Sequence, residues 1–252
     1  MSDFPPPPPN FTPPPGYVAY GGPGAVGGFQ RITTLTKWLV GLLGAALLVQ
    51  AASVLAQLSL RGSANDFLGG TITAQQFKDK FGVYTSLSLV AAAVGVASTV
   101  ILCIWTFRMA KNMQVLGRTP QTFSTPGATI AINILGACTL GILNFLMWRE
   151  IWRGSDASTA AGDPSWKRSA FSPLISIHLA LSIVGVIVGG AVGIGSGLTS
   201  VKSSSTSDVA KNLHDKVGLI AGAGLLQMAA AVVFIVLARQ LAARHMQATR
   251  EG

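Results

Sequence analysis

The stretch between residues 105 and 156 decides the fold of this chain. It opens with WTFRMAKN (residues 105–112) and closes with MWREIWRGSD (residues 147–156). Between these two clusters lies a charge-free apolar segment that begins at Thr125 and Pro126. Tryptophan and cationic side chains are enriched where membrane segments meet water. The pattern therefore predicts a membrane-embedded segment with an interfacial cluster on each flank.

The composition indicates a membrane protein throughout. The chain has 252 residues, of which 50% are hydrophobic and only 11% are charged, and its mean hydropathy is +0.51. A soluble domain carries about 25% charged residues. Many of the lysines and arginines behind the net charge of +9 lie at the edges of apolar runs, where they anchor to lipid headgroups. We therefore expect these cations to contact a lipid bilayer and not nucleic acid.

The chain divides into an arm and a membrane domain. Residues 1–30 hold proline tracts at 5–9 and 13–15 among many glycines, a composition that favours polyproline II and cannot bury a core. This arm is predicted to be disordered. Residues 31–245 form a predicted all-α domain. Its apolar segments, each long enough as a helix for the hydrocarbon core of about 30 Å, lie at about 38–60, 82–107, 127–147, 173–198 and 217–238.

Lysine and arginine positions distinguish two topologies. If all five segments cross the membrane from a cytoplasmic N-terminus, eight of the 18 cations lie inside. If the third segment instead enters and leaves on one side, twelve lie inside and six outside. The positive-inside rule favours the second arrangement. It predicts four spanning helices plus a re-entrant or interfacial third segment, rather than a fifth spanning helix, with both termini on the cytoplasmic side of the cell membrane.

Polar residues mark the third segment and its end. Asn133 and Asn144 require partners within the bundle or in a water-lined dip. Glu150 lies beside Arg149 and three residues before Arg153, which is within reach for an ion pair, and Asp156 is a second acceptor within reach of Arg149 or Arg153. Either these groups clamp the third segment to the end of the second, or they form a solvated charge run. The candidate interface cluster contains Trp105, Arg108, Asn112, Trp148, Arg149, Glu150, Trp152, Arg153 and Asp156.

Glycines recur every four residues in the last two apolar segments. A ridge without side chains allows another helix to approach closely. The pattern predicts packing between these two segments, and the alternatives are homo-oligomerisation or a pore. The helix-packing candidates are Gly185, Gly189, Gly193, Gly197, Gly218 and Gly222.

We find no convincing catalytic set in the sequence. A serine–histidine dyad of His178 and Ser196 fails because 18 residues of helix separate the two side chains by about 27 Å. His178 is either a proton-relay group or a neutral interface histidine. No Cys/His spacing indicates a metal site. We predict no enzymatic activity, no cofactor and no metal.

The signature residues resemble a bacterial membrane family catalogued as domain of unknown function 4328. The resemblance covers roughly residues 35–240 and implies a polytopic membrane protein, often with a Pro-rich arm, of no known activity. The chain departs from the family pattern at Gly136, Cys138 and Gly141, where members carry a proline and a bulky aromatic. The residues that carry the resemblance are Trp105, Arg108, Lys111, Asn112, Leu116, Gly117, Phe123, Ser124, Pro126, Gly127 and 148–156.

Two functions fit the sequence. The first is a scaffold or interaction component that recruits a protein partner through the cytoplasmic Pro-rich arm. The alternative is a small transporter or channel that uses the polar third segment and the glycine-rich fourth helix. A water-accessible cavity lined by Asn133, Asn144 and Gln227 would favour the alternative.

Overall fold

The structure is a computed structural model that describes residues 28–195 and 205–251. Residues 1–27 of the predicted arm, and Gly197 of the glycine ridge, lie outside this range. The described part is all-helical and contains no strand, which confirms the all-α class. Its six α-helices are α1 (Thr33–Leu68), α2 (Ala74–Val115), α3 (Pro126–Leu135), α4 (Ile142–Gly154), α5 (Pro173–Gly195) and α6 (Thr206–Thr249).

Three helices are long and apolar enough to cross a membrane. Helices α1, α2 and α6 contain 36, 42 and 44 residues. At about 1.5 Å per residue, each exceeds the hydrocarbon core of about 30 Å. Large apolar side chains such as Leu48, Leu89 and Leu225 stay exposed along them. The three helices support association with a membrane.

Local sequence explains where the helices begin. Thr73 and Gln76 form a capping box at the start of α2, and the Thr125 hydroxyl accepts the N–H of Ala128 with Pro126 as the first residue of α3. These caps match the sequence pattern. Beyond Thr73 the chain forms one continuous helix through the second apolar segment.

The third apolar segment is broken into a helical hairpin. Helix α3 ends at Leu135, a 3-10 turn follows at Gly136–Thr139, and Leu140 and Gly141 take left-handed φ angles of 52° and 79°. Glycine suits this conformation because it has no Cβ. Near the end of α4, the Glu150 carboxylate accepts backbone N–H groups that lie just before α3. Both ends of the segment therefore lie at the same end of the bundle.

Most of the buried core lies at that same end, which we call the platform. The platform comprises the N-terminus of α1, the C-termini of α2, α4 and α6, and the segments at 116–125 and 155–172. A smaller cluster at the opposite end joins Ala64 of α1, Phe77 of α2 and Leu213 of α6. The platform core contains Trp105, Met109, Met113, Met147, Trp148, Ile151, Trp166, Leu237 and Leu241, among others.

The glycine ridge does not mark the closest helix contact. Helix α5 packs on α6, as predicted. Yet a Cβ added at Gly185, Gly189, Gly218 or Gly222 would meet no heavy atom within 4 Å. These four glycines therefore do not bring the two helices together, which corrects the sequence interpretation. Of Gly193 the structure describes only the backbone. Their role in homo-oligomerisation stays a prediction.

The close approach in α6 lies instead at Gly224, against α1. A Cβ there would lie 2.6 Å from Val54 Cγ2 and 3.2 Å from Gln50 Nε2. Gly224→Leu is expected to destabilise the fold by about 1–3 kcal/mol through overpacking. Gly222→Leu, two residues away, is the matched control and should change stability little. Thermal unfolding in detergent measures both, and equal effects would contradict this packing.

Candidate functional site

The two tryptophan clusters of the signature stretch meet in the platform. The rings of Trp105 and Trp148 lie 6.0 Å apart and tilted, and both side chains are buried. The Trp105 indole Nε1 donates to the Thr36 hydroxyl of α1 at 2.9 Å. The ring of Trp148 also contacts Phe234 of α6, at 5.5 Å between centroids. The platform thus joins four helices through the residues that the sequence marked.

Asn112 connects the root of the arm to a buried histidine. Its Oδ1 accepts the N–H of Gln30 at 2.7 Å, and its Nδ2 donates to the Gln30 carbonyl at 2.9 Å. The same Nδ2 lies 3.2 Å from His245 Nε2, and His245 Nδ1 lies 2.8 Å from the Ser155 hydroxyl. An amide nitrogen only donates, so Nε2 accepts and Nδ1 carries the proton.

Burial keeps this histidine neutral. The side chains of Asn112, Ser155 and His245 are 0% exposed. Burial lowers the pKa of His245 to about 4, and the nearby Glu251 opposes this only in part. Serine, histidine and asparagine are residue types of nucleophilic catalysis. Here the serine has no access to a substrate, so the three side chains act as a structural connection between α2, α4 and α6.

A carboxylate at the end of the chain caps the first helix. Glu251 accepts the N–H groups of Ile32 and Thr33 at 2.9–3.0 Å and the Thr33 hydroxyl at 2.7 Å. Burial alone would raise the pKa of Glu251, but these hydrogen bonds hold it below its usual value. Arg108 donates to the Arg31 carbonyl at 2.8 Å. Residues 30–33 are therefore fixed to both α2 and the C-terminus.

Glu150 closes the hairpin through the backbone. Its Oε1 accepts the N–H of Thr122 at 2.8 Å, and its Oε2 accepts those of Phe123 and Ser124 at 2.6 and 2.8 Å. Within the described chain it forms no ion pair, so the pair with Arg153 that the spacing allows does not form. Three oriented donors compete successfully with one flexible guanidinium.

Glu150→Gln is expected to destabilise the protein by about 1–3 kcal/mol. The amide retains one acceptor oxygen but directs an NH₂ group toward backbone donors, which leaves at least one N–H unpaired. Asp66→Asn, at an exposed carboxylate of α1, is the control. Thermal unfolding in detergent should separate the two variants. An unchanged midpoint for the Glu150 variant would show that the closure is not needed.

Arg118 organises the loop after α4, a role that the sequence interpretation missed. The side chain is only 1% exposed, although it lies in a connection. Its guanidinium donates to four carbonyls of the loop. These belong to Gly154, Asp156, Thr159 and Ala160, at 3.3, 3.0, 2.7 and 2.6 Å. Local sequence gives no signal for such a role, because the acceptors lie 36 to 42 residues away.

Asp156 pairs with α6 rather than with its neighbours in sequence. Its Oδ2 lies 2.8 Å from the Arg244 guanidinium, which also donates to the Trp152 carbonyl and lies 5.4 Å from the centre of the Trp152 ring. The predicted contacts of Asp156 with Arg149 or Arg153 do not form. Those two arginines lie over Phe145 and Phe171.

A cavity of about 290 Å³ lies between the hairpin, α5 and α6. Its polar lining comes from Asn144, His178 and Ser182. Asn133 lies elsewhere and donates to the Thr106 hydroxyl at 2.8 Å. Gln227 is exposed on α6. The predicted polar dip is therefore built from a different set of residues, with only Asn144 in common.

No set of three metal-ligating side chains occurs among residues 28–195 and 205–251. The site therefore consists of the platform, with its buried hydrogen bonds, and of the cavity beside the hairpin. The resemblance to family 4328 stays a prediction. In comparisons with known proteins, no family model, no curated protein and no solved structure matches this chain.

Proposed function

We propose that this chain is a multi-pass membrane scaffold that presents its Pro-rich arm to a protein partner. Helices α1, α2, α5 and α6 span the membrane, the α3–α4 hairpin re-enters from the cytoplasmic side, and both termini are cytoplasmic. The observation that carries the proposal is the fixed root of the arm. Gln30 is held by Asn112, and the start of α1 is held by Glu251.

The hairpin supports this topology. Glu150 holds both ends of the third segment at the platform. The third segment therefore adds no membrane crossing between the end of α2 and the start of α5. Twelve of the 18 lysines and arginines then belong to the platform side. This is the side that the positive-inside rule assigns to the cytoplasm.

Cysteine labelling in intact cells tests the topology. Cys103 and Cys138 are first replaced by alanine, because both are free thiols. Ala157→Cys reports the platform side and Thr71→Cys the opposite side, and both positions are exposed. An impermeant maleimide should label position 71 in intact cells and position 157 only after lysis. The reverse pattern would reject the proposed orientation.

Recruitment is tested by cross-linking pull-down with the full chain. Two changes are compared: deletion of residues 1–27, and alanine at the prolines of tracts 5–9 and 13–15 in an arm of unchanged length. Both should remove the same captured protein, because polyproline II recognition depends on the prolines and not on length. If both changes leave the captured set intact, the arm does not recruit.

A small transporter is the second candidate, and the cavity beside the hairpin favours it. Ser182 lines that cavity, whereas Val184 on the same helix is 47% exposed on the surface. In a transporter, Ser182→Cys should react with a small water-soluble thiol reagent, and Val184→Cys should react far more slowly because it faces lipid. Equal protection of both positions would favour a dry bundle and the scaffold.

A further inference from the structure

A second, smaller cavity opens on the platform between the end of α4 and the 3-10 turn at Pro164–Arg168. Its volume is about 140 Å³, which exceeds the roughly 10–15 Å³ that one water requires. One wall is apolar and comes from Phe123 and Leu146. The remaining lining is polar or cationic and consists of Thr122, Arg149, Glu150, Arg153, Trp166 and Lys167.

The three cations of this cavity have no carboxylate partner. In the described chain Arg244 pairs with Asp156 and the His214 ring lies beside Asp215, and neither contact involves the cavity. Each cation lies instead 5.4–5.7 Å from the centre of an aromatic ring. Positive charge is therefore concentrated here, and none of the three cations forms an ion pair with a carboxylate. The pairs are Arg149 with Phe145, Arg153 with Phe171, and Lys167 with Trp166.

Two residues of the lining also carry a buried donor that lacks an acceptor. Arg153 Nε and Trp166 Nε1 are inaccessible and have no hydrogen-bond partner, and Trp166 is only 1% exposed. A buried donor without an acceptor is costly and requires an explanation. Burial, and then the charge of Arg149, lower the pKa of Arg153. Arg153 and its neighbour Arg149 thus lack a negatively charged acceptor within the protein.

Glu150 does not supply that acceptor. Both of its oxygens already accept backbone N–H groups from residues 122–124. Its charge offsets one of the three cations, so the lining keeps a net charge of about +2. A ligand with a negative charge and several acceptor oxygens would neutralise this remaining charge. Phosphate has this chemistry, and arginine binds it with charge-assisted hydrogen bonds.

We propose that this cavity binds the phosphate of an anionic phospholipid headgroup, with Arg149, Arg153 and Lys167 supplying the positive charge that holds it. The lipid as the source of the phosphate rests on the membrane placement proposed above. The cavity lies where the apolar hairpin ends, and basic pockets at this level of membrane proteins bind anionic headgroups. Phe123 and Leu146 provide the apolar side that a lipid requires.

The test uses the purified full chain in detergent with added dioleoylphosphatidylglycerol, dioleoylphosphatidylcholine or inorganic phosphate. Phosphatidylglycerol should raise the unfolding midpoint by several degrees more than phosphatidylcholine, whose choline offsets the phosphate charge. Arg153→Gln and Arg149→Gln should each weaken the apparent affinity for phosphatidylglycerol about tenfold. Lys111→Gln is the control, because Lys111 is an exposed platform cation over Phe107, outside the cavity.

Each outcome decides the proposal. Protection by inorganic phosphate that Arg153→Gln abolishes supports the site and assigns free phosphate as its source. An equal loss in the Lys111 and Arg153 variants would show diffuse surface attraction and overturn it. No preference for phosphatidylglycerol, together with no response to phosphate, would also overturn it. If the Arg153→Gln variant folds poorly, Arg153→Lys takes its place. Because lysine keeps the positive charge, this variant should lose less affinity than the glutamine variant. A reversed labelling pattern at positions 71 and 157 would reject the proposed membrane orientation but not the phosphate site.

Discussion

Replacing Arg118 with leucine is expected to lower the free energy of unfolding by about 3–5 kcal/mol, the largest effect of any single substitution proposed for this chain. The guanidinium is 1% exposed and donates to four loop carbonyls at 2.6–3.3 Å. Leucine fills part of the space but leaves those carbonyls without their donor. Limited proteolysis should then cleave within residues 155–163, and the unfolding midpoint in detergent should fall.

Two further variants separate hydrogen bonding from charge. Arg118→Lys keeps a cation but cannot reach four acceptors with one ammonium group, so it should recover only part of the stability. Arg168→Leu removes an exposed arginine of the segment between α4 and α5 and should change the midpoint little. If the leucine variants at 118 and 168 melt alike, the four hydrogen bonds do not hold the loop.

The hairpin of the third segment could be predicted from the sequence. The positions of lysine and arginine predict that both ends of the segment lie on one side, and charge-free runs define the other segments. The structure places the break at Gly136–Thr139, Leu140 and Gly141. Glycine at a left-handed φ permits this turn without a proline.

The polar contacts of the platform could not be predicted from the sequence. Glu251 lies 219 residues from Ile32, and His245 lies 133 residues from Asn112. No local pattern reports such pairs, because only the assembled bundle brings them together. The local rule for Glu150 and Arg153 also failed. A pair three residues apart contributes at most about 1 kcal/mol when exposed, less than three oriented backbone donors supply.

The glycine pattern failed for a related reason. A four-residue glycine period defines one face of a helix, but it does not identify what covers that face. Gly218 and Gly222 lie on an exposed face, while Gly224, which is outside the repeat, meets Val54. Position in the bundle, rather than period, decides which glycine a neighbouring helix requires.

Lowering the pH from 7 to 5 is expected to reduce the free energy of unfolding by about 2 kcal/mol through His245 alone. Burial lowers the pKa of His245 from its ordinary 6.5 to about 4. Between these values the unfolded chain binds more protons than the folded one. The stability is therefore fully present above pH 6.5 and is lost as the pH falls, approaching about 3 kcal/mol by pH 4. A protonated Nε2 would also face the Nδ2 donor of Asn112.

His245→Gln isolates this contribution. Asp156 and Glu251 have pKa values below their usual range, so their contribution is lost only as the pH falls below about 5. The other histidines are common to both proteins and cancel in the comparison. Chemical unfolding in detergent at pH 7, 6 and 5 should give a slope of about 1 kcal/mol per pH unit near pH 5.5 that the variant lacks. Parallel slopes would mean that the ring titrates normally. In that case the contact between Asn112, His245 and Ser155 would be open to water, and the root of the arm would not be rigid.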